Sequence, residues 1–187
     1  TLVSGGYIKQ NGNHNSLFGT NGGYMTAGFG NGVLTPLHVF NNTGNELYMY
    51  AQVMDNPAGS GNPVAFVRDG SGGGTVYMWQ YYDNDYSGGT YVNTGALRTG
   101  GTDNRKYLGK GPVLVDNAFL GLGAAGATEN ALGADYTVIN GGNMEIAAVE
   151  FREEDTFYIG PYGIISQNGS VSTNIGLNSL VRGTIGE

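Results

Sequence analysis

Residues 75–93 read TVYMWQYYDNDYSGGTYVN. Thr75–Tyr82 is a run of β-branched and aromatic residues, Asp83–Gly89 is a polar break ending in two glycines, and Thr90–Asn93 resumes the run. β-Branched and aromatic side chains suit a pleated surface, and Gly reaches positive φ without steric penalty. The pattern is therefore strand, tight turn, strand. The same alternation extends in both directions. Upstream lie the strand-like runs Val33–Phe40, Glu46–Met54 and Pro63–Arg68, separated by Asn41–Asn45, Asp55–Asn62 and Asp69–Gly74. Downstream lie Val113–Leu122, Thr137–Ile139, Met144–Arg152, Thr156–Ile159 and Gly163–Ile165, and the apolar residues of Ser170–Ile185 are placed to close a sheet. Asn140-Gly141-Gly142-Asn143 has the residue types of a primed hairpin turn.

Strands recurring every 8–12 residues or so with turns between them predict an all-β domain, a small barrel or sandwich with short turns. The one helix candidate is the short Ala-rich stretch Ala124–Ala134, framed by Gly123 and Gly133. No period of about 20–50 residues stands out, which argues against propellers and solenoids. Residues 1–31 are rich in Gly and Asn and read as an N-terminal arm, built either of primed hairpin turns or of a segment ordered on a neighbour. Residues 32–187 form the β-domain proper. The apolar and aromatic residues of the arm, Leu2, Val3, Tyr7, Ile8, Leu17, Phe18 and Tyr24, are its candidate assembly contacts.

The bulk numbers exclude several function classes. The chain has 187 residues, 35 of them Gly, a hydrophobic content of 40% and a net charge of −7. The 13 Tyr, 7 Phe and single Trp supply large buried areas, so disorder is not expected. Clustered bases are confined to Arg105-Lys106 with Lys110 nearby, which argues against nucleic acid as a partner. Apolar stretches such as Ile146–Val149 are far below the ~20 residues that span a bilayer as a helix, so no membrane partner is expected. With zero Cys there is no disulfide framework, thiolate zinc site or cysteine nucleophile.

Each chemical motif has a bland counterpart. Gly30–Val39 resembles the histidine segment of chymotrypsin-like proteases, which would make His38 a general base. The downstream Gly109–Val115 holds no serine at the nucleophile position, so His38 reads as a packed or rim histidine. Asp83-Asn84-Asp85 looks like the start of a calcium loop, with Asp83 and Asp85 as ligands. The twelfth loop position holds Thr94 where a bidentate Glu is needed, and a solvated turn is the simpler reading. Glu150, Glu153, Glu154 and Asp155 form an acidic run that suits a glycosidase pair less well than an exposed turn. Tyr77, Trp79, Tyr81 and Tyr82 form an aromatic surface candidate that could stack sugars, against a core or interface role. Asn41-Asn42-Thr43 and Asn168-Gly169-Ser170 match the glycosylation sequon. No catalytic residue, metal or cofactor emerges.

Five segments resemble the capsid decoration, or head-stabilisation, proteins of tailed bacteriophages. They are Thr35-Pro36-Leu37-His38-Val39, Pro63–Val67, Tyr86–Val92, Val113–Gly126 and Met144–Phe151, spread over residues 33–152. Leu37 and Thr90 depart from the family's Gly and Asp. The resemblance implies a tulip-like β-domain without an active site. It would sit as a trimer on the capsid exterior, against a major capsid protein, and stabilise the virion through repeated contacts. Two other functions remain open on the residues: an extracellular filament or surface-layer subunit assembled by strand donation, and a carbohydrate-binding β-domain.

Overall fold

The computed structural model describes residues 2–3, 7–10, 12, 16–19, 23–57, 61–79, 82–100, 107–122, 137–140, 142–146, 156–159, 164–167 and 180–183. The chain winds in coils, each laying one short strand on the strand of the coil before it. The first coil supplies β1 (Leu2–Val3), β2 (Tyr7–Gln10) and β3 (Ser16–Phe18), and the second β4 (Tyr24–Ala27), β5 (Thr35–Asn41) and β6 (Leu47–Met49). The third supplies β7 (Gln52–Val53), β8 (Val64–Asp69) and β9 (Thr75–Met78). Later coils give pairs: β10 (Thr90–Val92) and β11 (Ala96–Thr99), then β12 (Val113–Asp116) and β13 (Phe119–Leu122). These are followed by β14 (Thr137–Asn140) and β15 (Asn143–Ile146), then β16 (Thr156–Ile159) and β17 (Ile164–Gln167), and finally β18 (Leu180–Gly183).

Among the described residues these strands form three ladders. The first runs β2-β5-β8-β10-β12-β14-β16-β18, the second β3-β6-β9-β11-β13-β15-β17, and the third β1-β4-β7. Every strand pairing in them is parallel. Register in the first ladder runs Tyr7, His38, Val67, Tyr91, Leu114, Val138, Tyr158, Arg182, an advance of about 20 to 31 residues per coil. This is a parallel β-solenoid.

Strand alternation explains the core. In the second ladder Leu47, Val76, Leu97, Leu120 and Met144 share one register column, and all five are buried. In the first ladder Leu37 stands over Phe66, and Val92 over Val115, again buried. Each fully buried Val, Leu or Met contributes roughly 1.5–3 kcal/mol, so the stacked columns are the main adhesive. The corners are closed by asparagines. Asn41, fully buried, donates its Nδ2 to the Asn45 carbonyl at 2.6 Å and accepts the Thr43 N–H at 3.1 Å. Asn56 donates to the carbonyls of Gly28 at 2.7 Å and Ala27 at 3.2 Å, one coil earlier. Where the third ladder stops, Asn84 replaces a rung: its Oδ1 accepts the Val53 N–H at 2.8 Å and its Nδ2 donates to the Tyr107 carbonyl at 2.5 Å.

The all-β class holds. The expected barrel or sandwich of hairpins does not describe these ladders, and the argument against a solenoid is overturned by the coil-on-coil register. The physical reason lies in the turns: a glycine or asparagine at positive φ reports a local bend, not whether the chain doubles back or rounds a corner. Thus Asn140 ends β14 of the first ladder and Asn143 opens β15 of the second, so the supposed hairpin joins two different ladders. Likewise Val113–Leu122 is two strands with a corner at Asn117, whose φ is 50°. Within residues 1–31, β1 pairs with β4, β2 with β5, β3 with β6 and β4 with β7. The helix candidate Ala124–Ala134 lies outside the described residues. Among those residues no helix is long and apolar enough to cross a membrane.

Candidate functional site: an aromatic face on the second ladder

The strands β6, β9, β11 and β13 turn alternate residues away from the core. Register places Tyr48 beside Tyr77, Tyr77 beside Arg98, and Arg98 beside Gly121. The Tyr48 and Tyr77 rings stack with centroids 4.9 Å apart and planes 9° apart. That separation is the spacing of neighbouring strands, roughly 4.7–4.9 Å, so the ladder itself sets the stack. Tyr50 lies 6.4 Å from Tyr48, and Trp79 lies 5.9 Å from Tyr48 and 6.2 Å from Tyr77, tilted by 57° and 58°. On the far side the Arg98 guanidinium sits over the Phe119 ring, 4.7 Å from its centroid.

Charge is woven into this face. Tyr48 donates its hydroxyl to Glu46. That bond, helped by burial and by the carboxylate's charge, pushes the Tyr48 phenol up to about 12. Tyr77 is also raised, by burial first and Glu46 next, with Arg98 opposing. The phenols therefore stay protonated, as donors to a carboxylate. The result is a shallow amphiphilic surface of rings bordered by one carboxylate, one guanidinium and several hydroxyls.

The structure brings together Tyr77 and Trp79 from the aromatic candidates and adds Tyr48, Tyr50, Glu46, Arg98 and Phe119. Tyr82 is exposed, and Tyr81 lies outside the described residues. The added residues come from neighbouring coils, and only knowledge of the register would have found them. Leu2 and Val3 lie in β1, Tyr7 and Ile8 in β2, and Leu17 and Phe18 in β3, all inside paired strands, while Tyr24 in β4 is exposed.

Other sequence candidates are accounted for in place. His38 Nδ1 meets Asp69 Oδ2 at 2.6 Å, the ring stacks on Phe40, and Asp69 Oδ1 accepts the Asn93 amide at 3.0 Å. The Ser87 hydroxyl is spent on Asp55 Oδ2 at 2.6 Å. Asp83 and Asp85 are both exposed: Asp85 pairs with Lys110 at 2.8 Å and bridges to Met54, while the intervening Asn84 turns inward. Among the described residues no group of three or more His, Cys, Asp or Glu side chains is placed to hold a metal ion. The sequon residue Asn41 is wholly buried with its amide spent on the corner, and the acidic run 150–155 and Asn168 lie outside the described residues.

Compared with protein-family models, curated proteins and solved structures, the chain matches none.

Proposed function

We propose that the protein is a non-enzymatic recognition module, a β-solenoid whose second-ladder face binds a saccharide. The observation that carries the reading is the grouping of Tyr48, Tyr50, Tyr77 and Trp79 within ring-contact distance, with Glu46 and Arg98 beside them. A pyranose has a face of C–H groups and a rim of hydroxyls; aromatic π-faces suit the first, and charged hydrogen-bonding groups the second. Affinity electrophoresis of the full chain through gels containing neutral and acidic polysaccharides tests the reading. Retardation by at least one of them, lost in Trp79→Ala with an unchanged far-UV circular dichroism spectrum, is the expected result. No retardation by any would end it.

A second reading is assembly, as a capsid decoration protein on a virion or as an extracellular filament subunit, with copies of this chain or a capsid shell as partner. It is favoured by the exposed large hydrophobic side chains of Tyr24, Phe29, Val33 and Leu34, with Phe29 79% exposed. Electron microscopy of the native source separates its two forms, icosahedral shells against fibres. Isolated monomers would remove both.

A further inference from the structure

Two outward side chains of the second ladder are laid along the stack, each over a glycine of the next coil. A Cβ built on Gly121 would meet Arg98 Cγ at 3.0 Å and Phe119 Cε1 at 3.1 Å. A Cβ on Gly100 would meet Trp79 Cε3 at 2.8 Å, Cζ3 at 3.0 Å and Cδ2 at 3.4 Å, so any side chain there must push the indole away. Gly100 is itself held in place, since its N–H donates to the Met78 carbonyl at 3.0 Å and continues the rung past the end of β11. The indole is thus bounded by Gly100 on one side and by the tilted rings of Tyr48 and Tyr77, and 37% of the Trp79 surface remains open.

Resting on the saccharide reading above, we infer that Gly100 is the positioning residue of a one-sugar platform. It lets the Trp79 indole lie low along the stack and offer its open surface to a single pyranose. The ligand class this selects is a β-linked sugar of gluco or galacto configuration, in which the axial C–H groups of C1, C3 and C5 share one ring face free of axial hydroxyls. Polarised C–H groups are drawn to the negative face of an indole, and an axial hydroxyl on that face would hold the ring off. The Glu46–Tyr48 pair stands beside the platform as a polar neighbour for a ring hydroxyl.

Trp79 is the only tryptophan in the chain, so emission excited at the red edge reports this residue alone. The probes are laminarihexaose, cellohexaose and a β-1,4-galactotetraose, added to the full chain with acrylamide quenching read alongside. Binding of at least one should shift the emission and protect the indole from acrylamide. Gly100→Ala should red-shift the emission of the free protein and weaken binding at least ten-fold. The same change in a Trp79→Ala background should leave the melting temperature where Trp79→Ala alone puts it, because the atoms nearest the new methyl all belong to Trp79. A glycine needed only for folding would lower stability in both backgrounds and leave affinity intact, which overturns the inference. If the affinity gels are positive while these probes leave Trp79 emission unchanged, the platform falls and the saccharide reading stands. If the gels are negative as well, both fall.

Discussion

Arg68 offers the sharpest test of how the interior is held together. Its register neighbours in the first ladder are Val39 and Val92, both buried, so the column is otherwise aliphatic there. Arg68 itself is fully buried. Its Nη2 donates to the Gly74 carbonyl at 2.9 Å, its Nε to the Ala96 carbonyl at 3.2 Å, and its Nη1 to the Asp69 carbonyl. Burial holds the guanidinium down at about 10, with the charge of Asp69 opposing. The Asp69 carboxylate is engaged by His38 and Asn93, so backbone dipoles at the corner carry most of the compensation. Arg68→Ala removes all three donors and the aliphatic stem. A buried carbonyl left without a donor costs about 1–3 kcal/mol, and water entering the vacated space recovers part of that. The sum is roughly 4 kcal/mol. For a domain of this size that lowers Tm by roughly 8–16 °C. Arg68→Met restores the packing but not the donors, for a loss of about 2 kcal/mol and a Tm lower by roughly 4–8 °C. Thermal melts followed by circular dichroism at neutral pH give the order directly: wild type, then Met, then Ala. A Met variant as stable as wild type would refute the reasoning, because desolvating the guanidinium would then outweigh every bond it makes.

Two further outcomes follow from buried polar groups. The Tyr86 phenol is wholly buried and hydrogen-bonded to Thr90 Oγ1 at 2.6 Å; burial pushes it up to about 12, with the bonds to Thr90 and Gly109 opposing. Its folded value lies above the unfolded value near 10, so its contribution is complete below pH ~10 and is lost as pH rises through ~12, to a limit of roughly 2–3 kcal/mol. Tyr48 and Tyr77 act in the same direction, and Arg68, whose value is lowered, acts against them. Urea midpoints should therefore fall from pH 10 to 12, less steeply in Tyr86→Phe; identical slopes would clear Tyr86 of any part in alkaline unfolding. Asn84→Ala should cost about 2–3 kcal/mol and speed amide exchange at Val53, because the side chain bridges the Val53 N–H and the Tyr107 carbonyl inside the coil. A loss below ~0.5 kcal/mol with unchanged exchange at Val53 would mean that water replaces the amide.

Strand positions were largely legible because they depend on local composition. Val33–Phe40 became β5, Pro63–Arg68 became β8, and Thr75–Tyr82 contains β9. Run ends were harder: Glu46–Met54 holds two strands of different ladders, and Ala96–Thr99, a strand in the structure, has too mixed a composition to stand out. The parallel winding was hidden because coil length varies through the corner loops, so stacked residues never recur at one interval. Tyr48 and Tyr77 face each other 29 positions apart, whereas Tyr77 and Arg98 do so at 21. The aromatic face was half visible for the same reason: Tyr77 in β9 and Trp79 just after it share one run, and their partners belong to other coils. Asn41, Asn56 and Asn84 fall in turn or loop stretches of the sequence and are instead buried, because neighbouring coils enclose each corner, and Arg68, at the end of a strand-like run, is buried with them.

The parallel ladders also set how the molecule bears load. Hydrogen bonds between coils point along the stacking axis, so tension applied along that axis opposes one rung's bonds at a time rather than a whole sheet in shear. Each rung that parts releases a coil of about 20 to 31 residues, roughly 7–10 nm of extended chain. Under force the protein is a sequence of small sacrificial links, lengthening by steps while the coils behind the break keep their shape.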